Sequence, residues 1–394
     1  MCYPVDKHKK EVRMKTEIAY KTNDTTVSSN LYLAFELSNT EWKLGFTTGL
    51  GQAARIKVLK ARKMGGLKGE IDLAKERFGL PKETAVYSCY EAGRDGMWLH
   101  RYLEANGVNN LVVDSASIEV SRRFRRAKTD RLDASKLLNM LVRYHQGEQK
   151  VWSVVHVPSV EAEDQRQLHR ELLVLKREQT HHVNRIKGIL ISQGVGMEVT
   201  KDFLEELEAV RLWDGMPLQM GIRVLLDREH ERLEPVREQI RKIETIRKEI
   251  LRTSKEASIE QVRRLLKLKG IGVNSAWVYV MEFFSWRAFR NRRELGSLSG
   301  LAPTPYASGE SSRERGISKA GNRPVRAMAI EIAWSWLRNQ PESQLSRWYN
   351  RRFAKGGSRI RRIGIVALAR KLLIALWKYL EYGTLPEGAQ LKPV

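Results

Sequence analysis

LYLAFEL, residues Leu31–Leu37, is an apolar run of seven with one carboxylate, Glu36, near its end. Its length suits a buried strand rather than a helix. A Ser38-Asn39-Thr40 turn follows, then Glu41–Thr48 (EWKLGFTT), and Ala54–Leu59 reads as a third strand, so this segment is a β-meander. Beyond it the pattern alternates. Helices are expected around Ile71–Phe78 and Gly96–Ala105, and strands over Thr84–Tyr90 (TAVYSCY) and Leu111–Val113. Leu132, Leu137, Leu138, Leu141 and Val142 form a helical stripe that predicts a helix over Asp130–Tyr144. Three strands followed by alternating α and β units make an α/β sheet domain over residues 31–157.

The flanks differ in texture. Residues 1–30 are polar, without a sustained period, and are expected to form a flexible lead-in. Residues 158–258 hold two long mixed-charge stretches, Glu161–Gln193 and Arg228–Arg252, suited to an exposed antiparallel helical pair or coiled coil, with Pro217 between them. Residues 259–394 read as mostly helical, with Gly-rich turns, tryptophans and runs of arginine. The whole is an α/β domain followed by α structure.

Charge bounds the partner. Seventy Lys and Arg against 46 Asp and Glu give a formal net charge of +24, which predicts a polyanionic partner. Two cysteines, Cys2 and Cys89, exclude a disulfide scaffold and most cysteine-rich zinc modules, and they fit a reducing cytoplasm. No charged-then-apolar signal pattern appears, and the longest apolar stretch, Ile363–Leu380, is broken by Arg370, Lys371 and Lys378, so no membrane partner is expected.

Four acids stand out by position. Glu36 lies in an apolar strand, where a buried carboxylate needs a partner or a metal. Glu91 directly follows TAVYSCY, and Asp130 and Asp133 open a helix at i, i+3 spacing, on one face. Such acids can hold Mg²⁺, a hard cation that takes oxygen ligands and can clamp the oxygens of a phosphodiester. Asp130 and Asp133 also fit a second role, as charges favourable at a helix start. The approach Arg122, Arg123, Arg125, Arg126 and Lys128, with Arg131 behind it, suits a nucleic-acid backbone.

A second block, Leu298–Met328, reads LSGLAPTPYASGESSRERGISKAGNRPVRAM. Ser308 precedes Gly309 there, with Arg313, Arg315, Lys319, Arg323 and Arg326 near it in sequence. A serine hydroxyl is a poor nucleophile unless activated, and cationic neighbours can hold a phosphate beside it. Ser318–Asn322 (SKAGN) looks like a phosphate-contacting turn. Leu265–Ala276 (LLKLKGIGVNSA) resembles a helix-hairpin-helix, and Arg351–Lys371 holds eight basic residues and no acid.

KTDRLDA at Lys128–Ala134 and GLAPTPYASG…GISKAGN from Gly300 to Asn322, in this order, resemble the DEDD transposases of insertion-sequence family one-ten (IS110), also described as bridge-RNA-guided serine recombinases. The resemblance covers nearly the whole chain after residue 30. It implies an N-terminal RuvC-like, RNase H-type domain whose acidic tetrad, here Glu36, Glu91, Asp130 and Asp133, binds Mg²⁺. It also implies a coiled coil for self-association and a C-terminal transposase domain with Ser308 as nucleophile. Donor and target DNA, a non-coding bridge RNA and further copies of the chain, as a dimer or tetramer, are the partners it implies. Its first acid is typically aspartate, whereas this chain has Glu36, one methylene longer. That departure leaves open a catalytically impaired nucleic-acid-binding copy beside the active recombinase. A RuvC-like junction or flap endonuclease using water is the other alternative.

Overall fold

The computed structural model describes the backbone of residues 30–93, 95–118, 130–308 and 311–393; the side chains at 116, 130–133, 305–308 and 311–315 are outside the described set. The expected lead-in, up to residue 29, and the strip Arg122, Arg123, Arg125, Arg126 and Lys128 lie outside the described residues. The chain divides into two units, Met1–Val155 and His156–Val394.

The first unit is built on β1 (Leu31–Leu37), β2 (Glu41–Thr47), β3 (Arg55–Lys60), β4 (Val86–Glu91) and β5 (Val108–Val113), with helices α1 (Met64–Arg77), α2 (Trp98–Ala105) and α3 (Asp130–His145). Strand order is β3-β2-β1-β4-β5. The β1/β2 and β2/β3 pairs are antiparallel, and β1/β4 and β4/β5 are parallel. LYLAF, the buried first five residues of β1, is apolar because the strand is central and covered on both faces. Tyr32, Ala34 and Cys89 face α3 through Leu137, Leu138 and Leu141. On the opposite face the Phe35 ring lies 6.3 Å from Trp42, and Trp42 lies 5.9 Å from Trp98 of α2. Gly45 of β2 leaves room for α3: a Cβ there would sit 2.8 Å from Leu138 Cδ1. Helix α1 begins seven residues earlier than expected, at Met64 rather than Ile71. Two glycines in its first turn hid it from a propensity reading, and the start is fixed by packing: a Cβ on Gly66 would come within 2.8 Å of Leu59 Cδ1.

In the second unit a short α4 (Val160–Asp164), capped by the Ser159 hydroxyl accepting from Ala162 N, precedes α5 (Gln167–Ser192). Then come α6 (Phe203–Glu208) and α7 (Met220–Thr253), which contains Pro235. Helices α5 and α7 form an antiparallel arm. Leu172 clusters with Ile240 and Ile243 at one end, and Ile186 and Leu190 with Leu226 and Leu233 at the other. Its charged exterior is laced with i, i+3 and i, i+4 pairs such as Arg223–Asp227 at 3.0 Å and Arg252–Glu249 at 2.8 Å.

The C-terminal helices are α8 (Ala257–Leu266), α9 (Val273–Tyr279), α10 (Arg292–Leu298), α11 (Arg323–Asn339), α12 (Gln344–Tyr349) and α13 (Ser358–Tyr382), with π-helical turns at Val280–Phe284 and Asn350–Ala354. Trp277, Tyr279, Phe283, Trp336, Leu368, Leu372 and Leu376 fill their shared core. Burial of each such side chain is worth roughly 1.5–3 kcal/mol. Helix α13 stops at Gly383, whose φ of 72° suits a left-handed terminator. One element departs from the mostly helical expectation: β6 (Pro303–Ser308) and β7 (Ser311–Ile317) form an antiparallel hairpin. Among the described residues no helix is long and apolar enough to cross a membrane.

Candidate active site

The parallel register of β1 and β4 sets Phe35 opposite Tyr90. Glu36 and Glu91 are the next residues on each strand. They therefore stand level, about 4.8 Å apart in backbone spacing, with the same parity as Ala34 and Cys89, which face α3. Glu36 is half-buried and Glu91 exposed at the carboxyl edge of the sheet. Lys43 on β2 is the cross-strand partner of Glu36 and brings a cation to that edge. Sequence reasoning missed Lys43, because only pairing register reveals it.

Contacts along α3 give its direction. His145, at its C-terminus, lies 4.2 Å from the Tyr87 ring and 5.7 Å from Tyr32, over the starts of β4 and β1. The Cys89 thiol reaches Leu137 O at 3.9 Å, midway along the strands. Helix α3 thus runs antiparallel to β1 and β4, and its first turn heads toward the edge that carries Glu36 and Glu91. Asp133 occupies the position one turn before Leu137, about 6 Å along the axis, while Cys89 to Glu91 is about 6.6 Å along the strand. Backbone geometry therefore brings all four predicted acids to one end of one layer. Among the described side chains no group of three or more His, Cys, Asp or Glu is gathered at metal-binding distance; the Asp130 and Asp133 side chains are outside that set. The donor chemistry, carboxylate oxygen throughout, fits Mg²⁺. Asp114, just after β5, is engaged through its backbone: its N–H donates to Ser153 O at 2.9 Å, and its carbonyl accepts the Ser117 hydroxyl at 2.7 Å.

Ser308 ends β6 and pairs with Ser311; Arg313 and Arg315 follow on β7. The hairpin stands on a neck. Ser318 N donates to Ala302 O at 2.9 Å, Lys319 N to Gly300 O at 3.2 Å, and Asn322 N to Leu298 O at 2.9 Å. Three of the five SKAGN amides, those of Ser318, Lys319 and Asn322, are thus spent on the chain's own backbone, and Lys319 has a φ of 57°. Lys319 and Arg323 are exposed beside the neck. The Gly270-Ile271-Gly272 turn between α8 and α9 is likewise buttressed. Lys269 N donates to Gln390 O at 3.1 Å, and Lys392 Nζ to Ile271 O at 2.9 Å.

At the start of α13, Arg359, Arg361 and Arg362 are exposed, as are Arg351, Arg352 and Lys355 just before it. Arg362 Nη2 donates to Ser358 Oγ at 3.0 Å. These six exposed basic side chains lie within twelve residues of sequence that contain no acid.

The sequence has relatives among known proteins. Residues 262–349 match the family model described as Transposase IS116/IS110/IS902 family. A putative transposase, y4rJ, of Sinorhizobium fredii is 40% identical over 377 residues, spanning 92% of this chain and 94% of that protein. The transposase for insertion sequence element IS1328 of Yersinia enterocolitica is 28% identical over 235 residues, 58% of this chain and 67% of that one. The transposase for insertion sequence element IS1111A of Coxiella burnetii is 26% identical over 225 residues, 56% and 60% of the two chains. Near full-length similarity at 40% identity means that the chain belongs to the IS116/IS110/IS902 family of transposases.

Proposed function

We propose that this chain is a DNA transposase of the recombinase type, which cuts and exchanges strands using Glu36, Glu91, Asp130 and Asp133 to hold Mg²⁺ and Ser308 as nucleophile. One observation carries the acidic half: the β1/β4 register leaves Glu36 and Glu91 level at the edge toward which α3 points. The strand order β3-β2-β1-β4-β5 supports the RuvC-like, RNase H-type reading. When bound, Mg²⁺ would neutralise charge on the scissile phosphate. The chain's own residues do the rest. Arginines of the hairpin itself, Arg313 and Arg315, hold the phosphate. Ser308 Oγ forms a bond to phosphorus as the P–O3′ bond breaks, and the serine proton ends on the departing 3′-oxygen. The phosphoserine ester conserves the bond, so a 3′-hydroxyl of the exchanged strand can reverse the step and release the serine.

An element-encoded bridge RNA, paired with donor and target DNA, supplies sequence choice, while the protein reads backbone; the net charge of +24 supports a large nucleic-acid load. The protein works in the cytoplasm as an oligomer. Trp213 (94% exposed), Met216, Met220 and Ile191 at the far end of the arm support association there.

Incubation with Mg²⁺ and element-end DNA should give a protein–DNA adduct that Ser308→Ala abolishes. Mixing Ser308→Ala with Glu91→Gln chains should restore it if sites are shared between copies. Hydrolysis by water is the second reading. It is favoured by the division of the chain, since all four acids belong to Met1–Val155 and Ser308 to His156–Val394. Under that reading cleavage leaves no adduct and Ser308→Ala is harmless.

A further inference from the structure

Glu282 sits in the apolar run Val278–Trp286 (VYVMEFFSW) and is 1% exposed. Within it Val280–Phe284 is a π-helical turn, a form that recurs where function requires an irregular helix. Its carboxylate gathers partners from two separate elements. From α5, Arg170 donates twice, Nε to Oε1 at 2.7 Å and Nη2 to Oε2 at 3.0 Å, and His169 Nε2 lies 2.9 Å from Oε1. From the neck of the serine hairpin, Asn322 Nδ2 donates to Oε2 at 3.3 Å. Burial alone would push this carboxyl up; the hydrogen bonds from His169 and Arg170 outweigh it and hold it well below the usual carboxylate range.

Asn322 does three things at once. Its backbone N–H closes the neck on Leu298 O, its Oδ1 accepts from Val325 N at 2.9 Å to cap α11, and its Nδ2 reaches Glu282. The neck has little slack. A Cβ on Gly300 would collide with Ala320 O, and one on Gly321 with Leu298 O. Movement of Asn322 is therefore carried into β6 and β7. On the other side, the root of the arm meets α9 and α11 around a cavity of about 580 Å³, lined by His169, Lys176, Arg247, Asn274 and Glu331 among others. His169, which lines this half-open cleft, is also a partner of Glu282, so the cleft and the polar pin share one side chain.

We propose that Glu282 is a positioning residue: through Asn322 and the neck it sets the attitude of the hairpin that presents Ser308, and through His169 and Arg170 it couples that attitude to the α5/α7 arm. The chemical consequence rests on Ser308 being the nucleophile; the linkage itself does not. Full-length Asn322→Ser keeps a capping oxygen but loses the donor to Glu282, whereas Arg170→Ala cuts the pin on the arm side. Backbone hydrogen exchange, read at Ser318, Lys319 and Asn322, should rise about tenfold in both variants. The adduct rate at saturating DNA should fall about tenfold while the half-saturating DNA concentration holds. Unchanged neck exchange in Asn322→Ser overturns the positioning role. A rise confined to α5 in Arg170→Ala overturns the coupling. Faster neck exchange in both variants, in a chain that forms no adduct even as wild type, upholds the linkage and rejects the nucleophile.

Discussion

Replacing Arg359, Arg361 and Arg362 together with alanine tests whether the start of α13 binds nucleic-acid backbone. All three side chains are exposed on the first turns of that helix, ahead of the buried stretch that begins at Gly364. Alanine favours helix, and surface changes of this kind stay within about 0.5 kcal/mol each, so the fold should persist. If each arginine neutralises one phosphate of a duplex, the slope of log K against log[salt] should become shallower by about 0.9 × 3, or about 2.7. Between 50 and 200 mM salt, a fourfold change, wild type should then lose about 40-fold more affinity than the variant. Fluorescence anisotropy with a labelled duplex, titrated at four salt concentrations, measures both slopes. Parallel lines would refute phosphate contact at this surface. An affinity loss without a change in slope would refute the electrostatic argument as well.

Glu91→Gln and Asp130→Asn should each abolish Mg²⁺-dependent strand cleavage while DNA affinity holds, checked by denaturing gel and anisotropy in parallel. Gly321, at φ 93° and pressed against Leu298 O, should not tolerate alanine. The left-handed backbone alone costs about 1–2 kcal/mol and the collision adds to it, readable as a lower urea midpoint. Glu282 has a folded-state pKa below its unfolded value, so the stability it contributes is present above the ordinary carboxylate range and is lost as pH falls through that range and below. Thermal melts taken downward from about pH 5 should therefore drop less steeply for Glu282→Gln than for wild type. Trp213→Ser should shift the protein to a smaller species in light scattering without lowering its melting temperature.

The sheet was legible because its physics is local. β1 reads as one apolar run since both faces are covered, and the α3 stripe from Leu137 to Val142 is the face that covers it. Glu36 and Glu91 were visible as carboxylates at strand ends, but their common level follows from the β1/β4 register, and no spacing rule reports that. The β6–β7 hairpin was hidden. Pro303, Pro305 and Gly316 read as helix breakers and turn formers, and nothing in that stretch declared two paired strands. Glu282 escaped although the rule that singled out Glu36, a carboxylate inside an apolar run, applies to VYVMEFFSW as well. Its partners His169 and Arg170 lie 113 and 112 residues away, so only the folded chain discloses why it is tolerated. Arg247 is similar: within a mixed-charge helix it looks solvated, yet it is buried against Trp277 at 4.6 Å and donates to Asn274 Oδ1 at 2.7 Å.

Cys89 turns the closure of α3 over β4 into something countable. Burial pushes its thiol far above the usual range, and the helix that shuts it in also carries Asp130 and Asp133. An alkylating reagent reaches that sulfur only when the helix lifts, so the labelling rate clocks excursions of the layer proposed to carry the acids. Slower labelling on adding a divalent ion would mean that the ion latches the lid shut.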